Sequence, residues 1–256
     1  MEDCNVAVVT GGAQGLGASI TKALLNKAYR VVVADINEEK GKEFVRQLTS
    51  TFGTSKILFH LCDVTKQDDY KAVFDFTLKE FKRIDVLVNN AGILNEHHPQ
   101  RMLNINVLGV LNGIQTAFHY MGKSNGGKGG FVVNTASIAG FITHPAFPVY
   151  CASKHAVIGL TRSYANPFYF NKEGVMFFAL CPSYVKTDMV DQIGANTTIK
   201  GYKNKEDRVL LNSDDVAQGV IKLLDDKING STLVCTTEEG FFYVGLPREL
   251  ENISLE

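Results

Sequence analysis

The chain has 256 residues, 45% of them hydrophobic and 21% charged, with 26 basic and 27 acidic side chains. This length suits one large domain or two small ones, and it is enough to bury a substantial apolar core. The near-neutral charge and the lack of a long Lys/Arg run exclude the basic face typical of nucleic-acid binding, and the apolar runs are too short to span a bilayer. Neither a nucleic acid nor a membrane is therefore expected as a partner.

The cysteines are scattered along the chain without CxxC spacing, and their number is odd: Cys4, Cys62, Cys151, Cys181 and Cys235. This pattern argues against a disulfide framework or a zinc site, so we expect no bound metal. Reduced thiols are usual in the cytosol. The first residues are acidic, whereas a secretory signal begins with basic ones. These features together predict a cytoplasmic protein.

Short β-branched runs alternate with longer amphipathic stretches. The predicted strands are Val6–Thr10, Arg30–Asp35, Lys56–Leu61, Ile84–Asn89, Gly130–Thr135, Val175–Leu180 and Thr232–Cys235. The predicted helices lie near Leu16–Ala28, Glu38–Thr51, Gln67–Phe81, Arg101–Met121, Val149–Ala165 and Ser213–Asp225. Strands that are apolar on both faces and separated by helices indicate a parallel sheet covered on both sides. The prediction is an α/β protein with one Rossmann-like, doubly wound domain over residues 1–256 and a parallel sheet of about seven strands.

Two segments do not fit this alternation. Residues 183–212 are polar, poorly periodic and longer than an ordinary loop. Such segments often bind substrates, so we predict a substrate-binding loop here, with a disordered insertion as the alternative. The aromatic stretch Phe241–Val244 is expected either to fold over a pocket or to pair with a partner subunit.

A glycine-rich turn follows the first strand, with Gly11, Gly15 and Gly17 spaced as GxxxGxG. The first glycine would make the tight turn, the second would let backbone approach a pyrophosphate, and the third would let the helix pack closely on the sheet. A helix N-terminus adds N–H groups and partial positive charge. Because the loop joins a strand to a helix, the pattern predicts a dinucleotide site.

Two acidic residues end the next strands. Asp35 lies where a carboxylate can bind adenosine ribose hydroxyls, and its charge would repel the 2′-phosphate of NADP. No arginine occupies the glycine loop, and Ile36 follows Asp35, so NAD is predicted as the cofactor. The alternative role for Asp35 is capping the next helix, which Asn37 can also do. Asp63 either accepts a hydrogen bond from adenine or caps a helix.

Tyr150 and Lys154 are four residues apart and should project from one face of a helix. A free tyrosine has a pKa of about 10 and accepts protons poorly at neutral pH. A neighbouring ammonium should lower that pKa and make the phenol a usable general acid and base. The alternative is an amphipathic helix that carries the pair by chance.

In order along the chain, these motifs resemble those of the short-chain dehydrogenase/reductase family. The resemblance runs from about Val6 to about Cys235, and it includes the motif Asn89–Gly92. Within the family, stretches such as Pro148–His155 are most similar to one NAD-dependent branch. The resemblance implies a catalytic set of Asn106, Ser137, Tyr150 and Lys154. In it Asn106 would hold a water that links Lys154 to solvent. It also implies a homodimer or homotetramer.

The cofactor contacts that motif and resemblance together predict are Gly11, Gln14, Gly15, Leu16, Gly17, Asp35, Ile36, Asp63, Val64, Asn90, Ala91, Gly92, Tyr150, Lys154, Pro182, Val185 and Thr187. Two residues depart from the family pattern. Ser183 stands where the family usually has glycine, so the turn after Pro182 is expected to be altered. Pro167 falls in the helix predicted to carry Tyr150, which should kink or end near Asn166 because proline breaks helices.

The substrate contacts predicted are Ser137, Tyr150, Tyr184 and Met189, and residues that could add to an apolar pocket are Phe141, His144, Phe147 and Tyr202. A hydrophobic, secondary alcohol or its ketone is the expected small-molecule partner. Hydroxy fatty acids, steroids, retinoids and simpler alcohols all remain open. The alternative functions are an NADP-linked carbonyl reductase and a catalytically silent NAD-binding scaffold.

Overall fold

The structure, a computed structural model, describes residues 4–202 and 209–245. Part of the predicted substrate-binding loop, residues 203–208, lies outside the described residues, as do both ends of the predicted domain. The strands are β1 (Val6–Thr10), β2 (Arg30–Asp35), β3 (Ile57–Leu61), β4 (Val86–Asn89), β5 (Gly130–Thr135), β6 (Val175–Pro182), β7 (Thr232–Thr236) and β8 (Gly240–Tyr243). The helices are α1 (Gly15–Asn26), α2 (Glu38–Phe52), α3 (Gln67–Phe81), α4 (Pro99–Leu103), α5 (Gly109–Met121), α6 (Pro148–Tyr164), α7 (Pro167–Glu173), α8 (Asp188–Asp191) and α9 (Ser213–Asp226).

The strands form a sheet in the order β3-β2-β1-β4-β5-β6-β7-β8. β1 to β7 are parallel, and β8 alone runs antiparallel, paired with β7. The predicted doubly wound fold is confirmed, with this one additional edge strand. The order reverses at β1, between β2 and β4, which is the position where such sheets bind ligands beyond the carboxyl ends of their strands.

The inner strands are buried on both faces, as their continuous apolar runs predicted, whereas the edge strands β3 and β8 are partly exposed. One face packs against α3, α5 and α6 and includes the fully buried Phe74 and Phe177. The other face packs against α1, α2 and α9 and includes Leu24 and Phe178. Two apolar layers therefore enclose the sheet and leave its carboxyl edge open for a site.

A chain of buried polar groups ties the middle of the sheet to its helices. The Tyr70 hydroxyl donates to Asn89 Oδ1 at 2.8 Å, and Asn89 Nδ2 donates to Asn134 Oδ1 at 2.9 Å. Asn134 Nδ2 then donates to Thr161 Oγ1 at 2.9 Å. This chain joins α3, β4, β5 and α6, so it fixes the two strands that lead into the site relative to the helix that bears Tyr150.

The helix predicted over Arg101–Met121 is interrupted. It consists of α4, a π-helical turn at Asn104–Leu108 and α5. Asn106 lies in that turn and is 1% exposed. π-helical turns often mark functional positions, because the extra residue redirects a side chain.

Pro167 separates the helix that carries Tyr150 from the next helix, as predicted. α6 ends at Tyr164, the Asn166 side chain accepts a hydrogen bond from Phe168 N, and Pro167 becomes the first residue of α7. Proline suits a first helical position because the N–H it lacks would have no partner there. The short helix α7 itself had not been predicted.

The aromatic tail Phe241–Val244 does not fold over the cavity, whose lining contains none of these residues. It forms β8 and pairs with β7 of the same chain, with Phe242 opposite Val234. Phe241 packs in the apolar layer on one face and Phe242 in that on the other. These aromatic side chains therefore extend the core instead of covering the cavity, and pairing with a partner subunit stays a prediction.

Replacing Gly113 by Ala should destabilise the fold by about 2–3 kcal/mol. A Cβ at this position of α5 would overlap the Asn89 side-chain oxygen and break the buried polar chain. Gly159→Ala in α6 is the matched control, because a Cβ there meets nothing within 4 Å. Urea unfolding of both variants measures the difference, and equal stability would contradict a structural role for the chain.

Candidate active site

A cavity of about 370 Å³ opens at the carboxyl edge of the sheet. Every residue predicted to contact the cofactor lines it, and so do the four predicted substrate residues. Among the predicted catalytic residues, Ser137, Tyr150 and Lys154 lie on its wall and Asn106 lies behind it. The structure therefore brings residues from all parts of the sequence to one place.

The glycine loop has the geometry that close backbone approach requires. Gly11 and Gly15 have φ angles of +59° and +53°, a region that side-chain-bearing residues rarely adopt. A Cβ on Gly17 would overlap the Gly11 carbonyl oxygen and lie 2.6 Å from Asn90 Nδ2. Gln14 precedes α1 without a side-chain cap, and the first turn carries no acidic residue. The loop thus fits an anionic group such as a pyrophosphate.

Asp35 is oriented by main-chain groups on both sides of its carboxylate. Oδ2 accepts from Ala13 N at 3.1 Å, and Oδ1 accepts from Asn37 N at 3.0 Å. Asn37 caps α2 by accepting from Lys40 N at 3.0 Å, so Asp35 is not the cap. A fixed negative charge therefore stands at the end of β2.

Asp63 lies on the cavity wall and also closes a local turn. Its Oδ1 accepts from Thr65 N at 3.0 Å and from Thr65 Oγ1 at 2.7 Å. The local turn is the commoner role for an aspartate at a strand end, and here the same residue borders the cavity. Contact with adenine remains a prediction.

Tyr150 and Lys154 project from α6 into the cavity, as their spacing predicted. Lys154 Nζ lies 5.6 Å from the centroid of the Tyr150 ring and donates to the Thr135 carbonyl at 2.8 Å. Lys154 is 5% exposed, so its ammonium is held by a main-chain acceptor instead of water. Ser137, just beyond β5, caps the next turn by accepting from Ala139 N at 3.1 Å.

The ionisation of this pair differs from the prediction. Burial raises the pKa of Tyr150 to about 12, and a hydrogen bond with Ser137 opposes the rise. Burial likewise lowers the pKa of Lys154 to about 8. The expected lowering of the Tyr150 pKa is therefore wrong: the pKa is raised, with burial as the largest cause. Desolvation penalises the charged form of each group.

Asn106 lies outside the cavity lining and supports the site through hydrogen bonds. Its amide forms two hydrogen bonds with the main chain of Ile93, from Ile93 N at 2.8 Å and to Ile93 O at 2.9 Å. Its Nδ2 also donates to Ser153 Oγ at 3.2 Å, and that hydroxyl donates to the Tyr150 carbonyl at 2.7 Å. The predicted role of Asn106 in holding a water remains a prediction.

The other end of the cavity is apolar. Leu94, Ala146, Phe147 and Ile193 form a buried cluster against which Tyr150, Tyr184, Met189, Val190 and Tyr202 pack. Of the possible pocket residues, His144 and Phe147 line the cavity, whereas Phe141 and Tyr202 do not. Phe141 is 38% exposed, and Tyr202 packs edge-on against Phe147.

Several lining residues were not predicted, among them Leu94, Ile142, Val190 and Ile193. Val190 and Ile193 belong to the segment without periodicity, so no local pattern marked them. Main-chain hydrogen bonds between Tyr184 or Lys186 and Leu211 close the base of this segment, at 2.8 and 2.9 Å. Ser183 does not have a positive φ, so its turn needs no glycine.

A glycine-rich loop and an acidic strand end lie at one end of the cavity, and the Tyr150–Lys154 pair lies at the other. Fold and site together define a dinucleotide-binding oxidoreductase class of protein. Residues 5–198 match the family model described as short chain dehydrogenase. The chain belongs to the short-chain dehydrogenase family, which confirms the resemblance seen in its motifs.

The relatives narrow the comparison. The chain is 38% identical over 247 residues to a protein of Rattus norvegicus named 15-hydroxyprostaglandin dehydrogenase [NAD(+)], and the alignment covers 93% of each chain. It is 31% identical over 207 residues to alcohol dehydrogenase 2 of Ceratitis cosyra, covering 80% of this chain and 79% of that one. The NAD-dependent branch that Pro148–His155 resembles is the first of these.

A solved structure supports the fold. A short chain dehydrogenase/reductase from Burkholderia phymatum, in complex with NAD, superposes with a TM-score of 0.77. It covers 91% of this chain and 89% of its own at 23% sequence identity, so its likeness concerns the fold alone.

Within the ranges 4–202 and 209–245, no helix has the length and apolarity to cross a bilayer. No group of three or more His, Cys, Asp or Glu side chains in these ranges could hold a metal ion.

Replacing Lys154 by Met should make stability less dependent on pH. Because burial lowers the Lys154 pKa from 10.5 to about 8, wild type gains stability as pH rises between those values. The advantage of the Met variant at pH 7 should therefore shrink by about 3 kcal/mol by pH 10.5. Urea unfolding across this pH range measures the free energy of unfolding of both proteins. A difference between them that does not change with pH would show that folding does not lower the Lys154 pKa.

Proposed function

We propose that this protein is an NAD-dependent oxidoreductase that interconverts a hydrophobic, secondary alcohol and its ketone in the cytoplasm. The observation that carries the proposal is the meeting of Ser137, Tyr150 and Lys154 in the cavity whose far end is the glycine loop. The relatives named as NAD(+)-dependent and alcohol dehydrogenases support it. We also propose that the protein forms a homodimer or homotetramer, as its family resemblance implies.

The cofactor end favours NAD over NADP. The fixed Asp35 carboxylate, 6% exposed, suits ribose hydroxyls and repels a 2′-phosphate. Ile36 beside it is 64% exposed and offers an apolar surface instead of a cation. Lys40, the nearby ammonium, is bonded to Gln14 Oε1 at 2.7 Å. The residues present thus fit NAD, held by the glycine loop and Asp35.

Proton transfer falls to Tyr150. Burial raises the pKa of its phenol to about 12, which favours the neutral form. Bound NAD would supply the hydride acceptor and a further positive charge beside the phenol. Added to the Lys154 ammonium, positive charge at this position favours the phenolate, which can then accept the hydroxyl proton of an alcohol. Ser137, which lines the cavity with Tyr150 and opposes the rise of its pKa, is placed to orient the same oxygen.

The substrate end sets a modest limit on what can bind. Apolar side chains surround the position next to Tyr150, including Leu94, Phe147, Met189 and Ile193. They would exclude water from the reacting carbon and favour a ligand with little charge near its hydroxyl group. We propose residues 183–212 as the substrate-binding loop, with Tyr184 and Met189 as contacts.

NADH should bind more tightly than NADPH, because a 2′-phosphate would meet the Asp35 carboxylate. A fluorescence titration with each dinucleotide measures the two affinities. Asp35→Ser should narrow the difference by removing the repulsion. A preference for NADPH in wild type would favour the alternative of an NADP-linked carbonyl reductase.

Tyr150→Phe should lower kcat for alcohol oxidation by at least about 100-fold, because it removes the general base. NADH affinity should change little. Tyr120→Phe is the matched control: burial likewise raises the pKa of Tyr120 to about 12, yet it lies outside the cavity lining. An alcohol panel with NAD, followed at the NADH fluorescence band, provides the measurement.

Turnover by the Tyr150→Phe protein at the wild-type rate would refute the assigned role. Wild-type protein that binds NADH and remains inert across the panel would favour the silent scaffold instead.

A further inference from the structure

Glu96 is a buried carboxylate that the chemistry above does not use. It lies in the segment after β4 and is 7% exposed. Its Oε1 accepts from Tyr150 N at 2.9 Å, and its Oε2 accepts from Val149 N at 3.3 Å. A side chain more than fifty residues away thus holds the main chain of Tyr150 itself.

Those two N–H groups are the ones that need a partner. α6 begins at Pro148, which has no N–H, and Phe147 before it provides no side-chain cap. The first N–H groups of a helix have no acceptor within the helix, and a negative charge at this end is favourable. Glu96 supplies both the acceptors and the charge, so it fixes the first turn of α6.

The same residue also holds the segment that covers the cavity, which we term the lid segment, Asp188–Thr197. The Glu96 main-chain N–H donates to the Asn196 carbonyl at 2.8 Å. Beside it, the Thr197 hydroxyl, 5% exposed, donates to the Ala146 carbonyl at 2.8 Å. Both bonds join the lid segment to the residues around the start of α6.

Apolar contacts follow the same path. Ile193 of the lid segment packs with Phe147, directly before α6, and Tyr150 packs against the same cluster. Any movement of the lid segment therefore acts on the chain that leads into α6. Glu96 touches both sides of this junction, with its side chain on the helix and its main chain on the lid segment.

We propose that Glu96 is a positioning residue that couples closure of the lid segment to the placement of Tyr150. This inference rests on the proposed function of the same cavity. Loss of the carboxylate would leave two buried N–H groups without acceptors, and the first turn would loosen. Tyr150 would then be displaced from the reacting oxygen while the glycine loop stays in place.

The first test is a comparison of Glu96→Gln and Glu96→Ala with wild type. For Glu96→Ala, kcat for alcohol oxidation should fall by about 100-fold, the effect typical of a displacement near 1 Å. Glu96→Gln keeps one acceptor, so its kcat should lie between those of wild type and Glu96→Ala. The NADH dissociation constant should stay within about twofold, since the cofactor end is separate. A kcat that is unchanged in Glu96→Ala would overturn the proposal.

Glu173→Gln is the matched control. Glu173 is another buried carboxylate, 6% exposed, and accepts from Ser124 Oγ at 2.6 Å. It is the last residue of α7, just before β6, at the edge of the sheet opposite the cavity. Its replacement should leave kcat unchanged. An equal loss of kcat in both variants would mean that any buried carboxylate matters, which overturns the specific role of Glu96.

The coupling itself is tested at Thr197. Thr197→Val removes the bond to Ala146 with little change in shape and should lower kcat, whereas Thr197→Ser should restore it. If the two residues act as one unit, Glu96→Gln combined with Thr197→Val should be within about twofold of the slower single variant. If the kcat loss of the double variant equals the product of the two single losses, the residues act independently and the coupling is overturned.

Amide hydrogen exchange separates this proposal from the function it rests on. In Glu96→Ala, the amides at 149–151 and at 193–199 should both lose protection relative to wild type, whether or not an alcohol has been found that turns over. Loss confined to 149–151 would show an ordinary helix cap and overturn the coupling. If wild type is inert toward every alcohol while Glu96→Ala still loses protection at both places, the result counts against the proposed function alone.

Discussion

The site depends on one electrostatic constraint: a phenol and an ammonium, one helical turn apart, lie in one cavity, with Lys154 buried and Tyr150 partly buried. Burial disfavours both charged forms, so the pKa of Tyr150 rises to about 12 and that of Lys154 falls to about 8. The protein compensates with fixed dipoles, namely the Thr135 carbonyl on the ammonium and the Ser137 side chain on the phenol. The cavity thus favours the neutral phenol, and in the proposed reaction the positive charge of bound NAD would shift Tyr150 toward the phenolate.

The fold meets this constraint by making the strand ends rigid. Asn90 Nδ2, at the end of β4, donates to Thr10 O and Gly11 O at 3.1 and 3.2 Å, so the glycine loop and the next strand end are bonded directly. The polar chain through Asn89 and Asn134 then links these strands to α6. Both ends of the cavity thus belong to one hydrogen-bonded frame. Such preorganisation lets small charge changes matter, because the surrounding dipoles do not have to rearrange.

The sequence predicted what depends on local pattern. Strands β1, β2 and β5 have the predicted bounds, and the glycines, Asp35 and the Tyr150–Lys154 pair all border the cavity. Features set by tertiary contacts were missed. β8 needs β7 beside it, the π-helical turn needs Ile93 to accept and donate to Asn106, and the lid segment has no periodicity of its own. The direction of the Tyr150 pKa was wrong because spacing reveals the neighbouring charge and leaves the depth of burial unknown.

The depth of burial and the covering of the cavity are therefore one physical problem. An interaction between charges strengthens as water is excluded, and the cost of each isolated charge rises with it. A cavity that were always dry would keep Tyr150 neutral, and a cavity that were always wet would weaken the effect of Lys154. In the proposed closure, the lid segment, tied at Asn196 and Thr197 to the residues around the start of α6, would exclude water once the ligands have brought their charges. The carboxylate of Glu96 binds the main chain of Tyr150, so the proposed closure and proton transfer would share one mechanical link.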